Sequence, residues 1–168
     1  MAHDLPIPEE PTFRDAMRIA IGERWEQVWE TVPAAVEGKD IEGVHDVRVA
    51  SRRLRAAMDV AAGAFPADWY KPLHKLAKQI TRELGAVRDR DVLIESFQKD
   101  REKAPPEEWP GIDLVIERID AERVEARQAM EKFLAGLESS GKIDETRRRF
   151  GETGSKKLKM AESKGATS

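Results

Sequence analysis

One histidine and four arginines fall within the twelve residues from Val44 to Arg55, VHDVRVASRRLR. At about 100° per residue, a helix through this stretch gathers His45, Arg48, Arg52 and Arg55 into one arc of roughly 80°. Val44, Val47, Leu54 and Met58 occupy the neighbouring arc, and Arg53 points elsewhere, toward a solvated face. Guanidinium groups repeated one turn apart, about 5.4 Å, suit an anion that repeats its charge. Each planar guanidinium can engage two phosphate oxygens at once. A hydrogen bond to a charged group contributes about 1.5–3 kcal/mol net, so several together give tight binding that weakens with salt. The alternative is a solvated helix face with local ion pairs to Asp46 or Asp59.

A second cationic stripe follows. Lys71, Lys75, Lys78 and Arg82 share one face, nearly opposite Leu73, Leu76, Ala77, Ile80, Leu84 and Val87. Alone it is weak, because any bundle helix shows a polar stripe opposite an apolar one. It gains weight if it lies beside the first. Continuing the helix past Gly85 brings Asp89 onto the same stripe. Asp89 and Asp91 read as supports that orient neighbouring arginines such as Arg88, and Gly85 reads as a point of close helix contact.

Catalytic constellations are missing from the pattern. There is no phosphate-cradling Gly-rich loop with Lys and Ser/Thr, no cysteine, and only three histidines, His3, His45 and His74. The His45-Asp46 pair suggests a metal-dependent phosphohydrolase, but that class needs more histidines and aspartates converging on metal. No metal site and no cofactor are expected. Three roles are open to His45: contact with phosphate, a pH-sensitive donor, or an interhelical hydrogen bond. Trp25, Trp29, Trp69 and Trp109 read as core or rim aromatics.

The elements that must position these residues are helical. The 168 residues suit one domain, with 36% charged and 40% hydrophobic residues and a single tyrosine. The net charge of −3 is unevenly spread. Residues 44–90 hold ten Lys/Arg against five Asp/Glu, a net of +5, which leaves −8 for the remainder. A basic middle in an acidic chain points to a localised anion site and away from a surface coated for nucleic acid. No run approaches the ~20 apolar residues of a membrane span, and no signal-peptide pattern opens the chain.

Residues 1–10 are Pro-rich and polar and are expected to form a disordered arm. Residues 11–150 are expected to form the bundle, and the Lys/Gly/Ser-rich residues 151–168 a disordered tail. Thr12 can start a first helix, with Phe13, Met17, Ala20, Ile21, Val28 and Val32 on one face to about Val32. Pro33 and Gly38 mark its exit, with room for a further turn between them. Asp40 suits the N-cap of a second helix running to about Ala64. The third runs from near Asp68 to about Lys103, with a possible kink at Gly85, and Pro105-Pro106 stops it. The fourth runs from about Ile112 to Glu138, and residues 143–150 have room for a short helix.

Two of these stretches resemble signatures of one family. VHDVRVASRRLRAAM, and about forty residues later ELGAVRDRDVLIESF, are similar to the two motifs of the CHAD domain, the conserved histidine α-helical domain. The resemblance spans roughly residues 12–140. It implies an all-α fold, an antiparallel four-helix bundle resembling one half of a CHAD domain, and non-catalytic binding of inorganic polyphosphate. The implied binding residues are His45, Arg48, Arg52, Arg55, Lys71, Lys75, Lys78 and Arg82, supported by Arg88, Asp89 and Asp91. CHAD domains usually have two bundle halves, each with a basic helix, and this chain shows one. A homodimer is one way to complete the arrangement. Nucleic-acid binding and docking of an acidic protein partner by the same basic face are the competing functions. A cytoplasmic placement is expected, with polyphosphate-rich bodies as one site within it.

Overall fold

The computed structural model describes residues 12–39 and 41–151. Five α-helices follow in order: α1 Phe13–Glu37, α2 Glu42–Val60, α3 Ala67–Lys103, α4 Trp109–Ser139 and α5 Lys142–Phe150, with a 3-10 turn at Pro106–Glu108. Short connections make successive helices antiparallel neighbours. α1 packs on α2, α2 on α3 and α3 on α4, while α5 closes back onto α1 and α4. Among the described residues there is no strand. The fold is the all-α bundle expected, with α5 added as a short fifth helix.

α1 begins where Thr12 accepts a hydrogen bond from the Asp15 backbone N–H, an N-cap that satisfies one free donor of the first turn. Ile21, Trp25, Val28, Trp29 and Val32 are buried along one face. Phe13, expected on that face, is 58% exposed because the first turn lies ahead of the first buried residue, Ile21. The helix runs past the expected end at Val32, carrying Pro33 inside it, to an αL cap at Gly38. Burial of Ala35 and two hydrogen bonds from Arg127 of α4 to the Ala35 and Val36 carbonyls hold this extra turn. Packing here outweighs the proline's lost donor.

α2 starts at Glu42 with Ile41 at the cap position, whose side chain makes no cap hydrogen bond; Asp40, the expected cap, lies outside the described residues. Gly43 sits against the C-terminal turn of α1, where an added Cβ would fall 2.7 Å from the Ala34 carbonyl oxygen. α2 ends at Val60, four residues earlier than the periodicity suggests. A turn through Gly63, whose φ is +89°, replaces its last turn. That turn places Phe65 in an aromatic group with Trp69, Tyr70 and Phe150. The Tyr70 hydroxyl donates to the Met58 carbonyl at 2.6 Å, tying the start of α3 to the end of α2.

α3 is continuous over 37 residues, through Pro72 and Gly85, about 55 Å at 1.5 Å per residue. α2, with 19 residues, is about half that length. α3 and α4 therefore outrun the other helices. Asp91 is the last buried residue of α3, and Met130 is the first of α4. The intervening hairpin is clasped at its tip. Arg101 donates from Nε and Nη2 to the two Asp113 carboxylate oxygens at 2.6 and 3.1 Å, and its guanidinium stacks 4.5 Å from the Trp109 ring.

α5 is fastened at three points. Trp29 Nε1 donates to Thr146 at 3.0 Å, Arg147 pairs with Glu26 at 2.8 Å, and Phe150 is buried in the aromatic group. Trp25 and Trp29 stack with centroids 5.2 Å apart. The arm expected over residues 1–10 and the tail expected over 151–168 lie, Gly151 excepted, outside the described residues.

Candidate anion-binding face

α2 presents its arginines because its other face is consumed by the core. Val44, Val47, Leu54 and Met58 are buried, which turns Arg52 and Arg55 to solvent and leaves His45 and Arg48 half-buried beside α3. α3 does the same: with Leu73, Leu76, Ala77, Ile80, Leu84 and Val87 buried, Lys71, Lys75, Lys78 and Arg82 are exposed.

The two stripes meet. Arg55 of α2 lines one open recess with Lys75, Lys78, Gln79 and Arg82 of α3. A second recess, nearer the start of α2, is lined by His45, Arg48, Arg88, Asp89, Val92 and Leu93. Arg52 stands one turn from both Arg48 and Arg55, between the two recesses. Lys71 lines neither and sits one turn before Lys75.

Electrostatics around the second recess are unbalanced. His45 Nδ1, Arg48 Nε and Arg88 Nη1 are shielded from solvent and make no hydrogen bond. The two guanidinium nitrogens are permanent donors, and a buried donor without an acceptor costs about 1–3 kcal/mol. The carboxylate facing them is distant: Asp89 lies 4.0 Å from Arg48 and is itself 70% exposed. Elsewhere on the face, Arg82 approaches Glu83 at 3.4 Å, and Asp59 is taken up by His74 at 2.6 Å. The local ion pairs considered for the α2 arginines, to Asp46 or Asp59, do not form among the described contacts.

Asp91 is not part of this face. It is buried on the far side of α3, where Arg123 of α4 reaches it at 3.4 Å. Asp89 and Asp91 thus serve different helix pairs. Gly85 also differs from expectation: an added Cβ there would meet only Arg48 Nε, at 3.9 Å. The glycines that do permit close backbone approach are Gly43, against Ala34, and Gly22, against Phe150. Arg88, expected as a support, lines the recess directly. Gln79, Val92 and Leu93 join the site without any sequence signal, because they sit at the edges of the α3 stripe and only the position of α2 shows which edge matters.

No described helix is long and apolar enough to cross a membrane. No curated protein and no solved structure is detectably similar to the chain. The family model for the CHAD domain matches residues 19–164, a span that contains all five helices except the first turns of α1, both cationic stripes and the recesses between them. The chain belongs to the CHAD domain family.

Proposed function

We propose that the chain binds inorganic polyphosphate along the joined faces of α2 and α3, without catalysing a reaction on it. The observation that carries this reading is the meeting of the two stripes: Arg55 with Lys75, Lys78 and Arg82 in one recess, and His45 with Arg48 and Arg88 in the next. Arg52 bridges them. A linear polyanion needs a row of donors rather than one enclosed pocket, and this row follows two helices side by side. Arg48 and Arg88 hold donors without acceptors in the second recess, and phosphate oxygens, which are acceptors only, complement them once the side chains turn toward solvent. The family, which is associated with polyphosphate binding, supports the same ligand class.

Calorimetric titration with long-chain polyphosphate at physiological salt tests this, using wild type and an Arg48→Ala/Arg52→Ala/Arg55→Ala variant. Wild type is expected to bind, and the variant to lose at least about a hundredfold in affinity, given roughly 1.5–3 kcal/mol for each charged contact, while keeping its helical circular dichroism. Equal affinity in the two proteins would overturn the reading. So would preferential binding of DNA or RNA at equal charge. Release of orthophosphate in the presence of a divalent metal would overturn the non-catalytic part.

A further inference from the structure

The outward face of α3 carries both signs of charge in sequence. Lys71, Lys75, Lys78 and Arg82 precede Gly85; Asp89, Leu93, Ser96 and Asp100 follow it. At about 100° per residue all eight lie within one arc of roughly 60°, and all eight are exposed. α2 borders this face, with Arg55 beside Lys75, Lys78 and Arg82 and Arg48 beside Asp89, and leaves its eight residues open to solvent. Leu93 is 46% exposed on it.

We propose that this face pairs antiparallel with the same face of a second copy of the chain, about a two-fold axis at Gly85 and Ala86. The register follows from the spacing. Reversal about that point sets Arg82 opposite Asp89 of the second copy and Lys71 opposite Asp100 of the second copy. Lys78 faces Leu93 of the second copy, where its aliphatic stem covers the leucine. Lys75 faces Ser96 of the second copy, whose hydroxyl accepts from it. Two-fold symmetry repeats each contact, so one helix pair makes two Arg82–Asp89 and two Lys71–Asp100 pairs. Arg82 and Asp89 are free enough to do this, their side chains being 74% and 70% exposed. Gly85 has no side chain and Ala86 only a methyl, and the Arg48 side chain of the same copy borders the centre of the contact on the Gly85 side.

Charge order also rejects the alternative. A parallel pairing of the same faces would set the lysines of one copy against those of the other, and like charges across an interface are repulsive. The reversed order of sign along α3 therefore specifies direction as well as contact. The face shares Lys75, Lys78, Arg82, Asp89 and Leu93 with the two recesses, so polyphosphate and a second copy compete for it; the pairing is tested without that ligand, so the two readings can fail separately.

The experiment is sedimentation velocity on the full chain at low salt over rising concentration. Wild type is expected to shift from 19.0 kDa toward twice that mass. Arg82→Asp and Asp89→Arg, each alone, are expected to raise the dimer dissociation constant at least about tenfold, the equivalent of ~1.4 kcal/mol. Combining them restores opposite signs across the axis and is expected to return the constant to near the wild-type value. Circular dichroism of each variant separates loss of pairing from loss of fold. A wild type that stays at 19.0 kDa into the millimolar range overturns the proposal. So does a dimer indifferent to both single reversals, or a combined variant that remains as weak as the single ones.

Discussion

Arg48 of α2 stands 4.0 Å from Asp89 of α3, the one carboxylate in the recess that also holds His45 and Arg88. The distance is too long for a hydrogen bond, and both side chains meet solvent, so the pair is worth at most about 1 kcal/mol. Asp89 is a weak competitor for a guanidinium that an anion can claim. Asp89→Asn is expected to strengthen polyphosphate binding by up to roughly fivefold, the equivalent of 0.2–1 kcal/mol. Calorimetry at low protein concentration reads the change, and weaker binding by the variant would contradict the placement of ligand at this recess.

The salt dependence of binding counts the contacts. For single-stranded polyanions the logarithm of the binding constant falls with that of salt by about 0.7 per neutralised phosphate. Replacing Arg48, Arg52 and Arg55 by alanine is expected to lower this slope by about two. Replacing Arg53, which is exposed outside the arc, is expected to leave it unchanged. Equal slopes for the triple variant and wild type would place the ligand elsewhere.

Tyr70 is the only tyrosine in the chain, which makes its ionisation directly visible as phenolate absorbance. Burial, and secondarily the Asp59 carboxylate, push its pKa from 10.0 up to about 12. The folded state therefore holds the phenol proton more tightly than the unfolded one. This contribution to stability is complete below pH 10 and is lost as pH rises from 10 toward 12. A spectrophotometric titration of the native protein should show the phenolate forming near the upper value, and Tyr70→Phe should flatten the alkaline fall in stability. Titration of the folded protein at the ordinary tyrosine value would contradict the burial described.

Gly43 and Gly85 are expected to respond oppositely to alanine. At Gly43 the new Cβ meets the Ala34 carbonyl at 2.7 Å, and backbone cannot move aside. Gly43→Ala should cost about 1–3 kcal/mol. At Gly85 the nearest atom is 3.9 Å away, on the Arg48 side chain. Gly85→Ala should instead stabilise the helix by about 0.5–1 kcal/mol. Thermal melts of dilute protein compare the two, and destabilisation of similar size at both sites would refute the assignment of close contact to Gly43 and not to Gly85.

Arg127→Ala removes two hydrogen bonds to the last carbonyls of α1. The expected cost is about 1–3 kcal/mol, concentrated in faster amide exchange over the turn around Pro33. Unchanged exchange there would mean that packing of Ala35 alone holds the extra turn.

Much of this architecture is legible in periodicity, and the misses have physical causes. The buried faces of α2 and α3 follow their 3.6-residue repeats, and those repeats also fix which way Arg52 and Lys78 point. The end of α1 was not legible, because Pro33 is a local stop signal and the groups that override it, Ala35 and Arg127, act from the core and from a helix 92 residues away. The end of α2 was missed because alanine continues a helix readily, whereas the chain turns at Gly63 to seat Phe65. Asp89 and Asp91 are two positions apart, so a helix sends them to different sides; only the location of α4 shows that Asp91 belongs to Arg123. The meeting of Arg55 with Lys75 and Arg82 is a tertiary fact that neither stripe contains alone.

The long hairpin beyond Asp91 and Met130 gives the molecule two depths of resistance to opening. Its helices bury no complete side chain there, and its exposed apolar residues include Leu114 and Val115. What closes it is a half-buried seam of Ile94, Phe97, Ile112, Ile116 and Ile119 and, at its tip, the Arg101–Asp113 clasp, whose hydrogen bond holds the Asp113 carboxyl below its ordinary range. That stabilisation is present above the ordinary carboxylate range and is lost as pH falls through the lowered value. Local opening of the hairpin therefore leaves the packed helices intact, and its amides should exchange through small fluctuations while those around Leu84 and Leu54 wait for the whole domain to unfold. The recess of Arg55, Lys75, Lys78 and Arg82 lies on the slow-exchanging side of that divide and the second reaches its edge through Val92 and Leu93, so the arginines of α2 are held by the part of the fold that opens last.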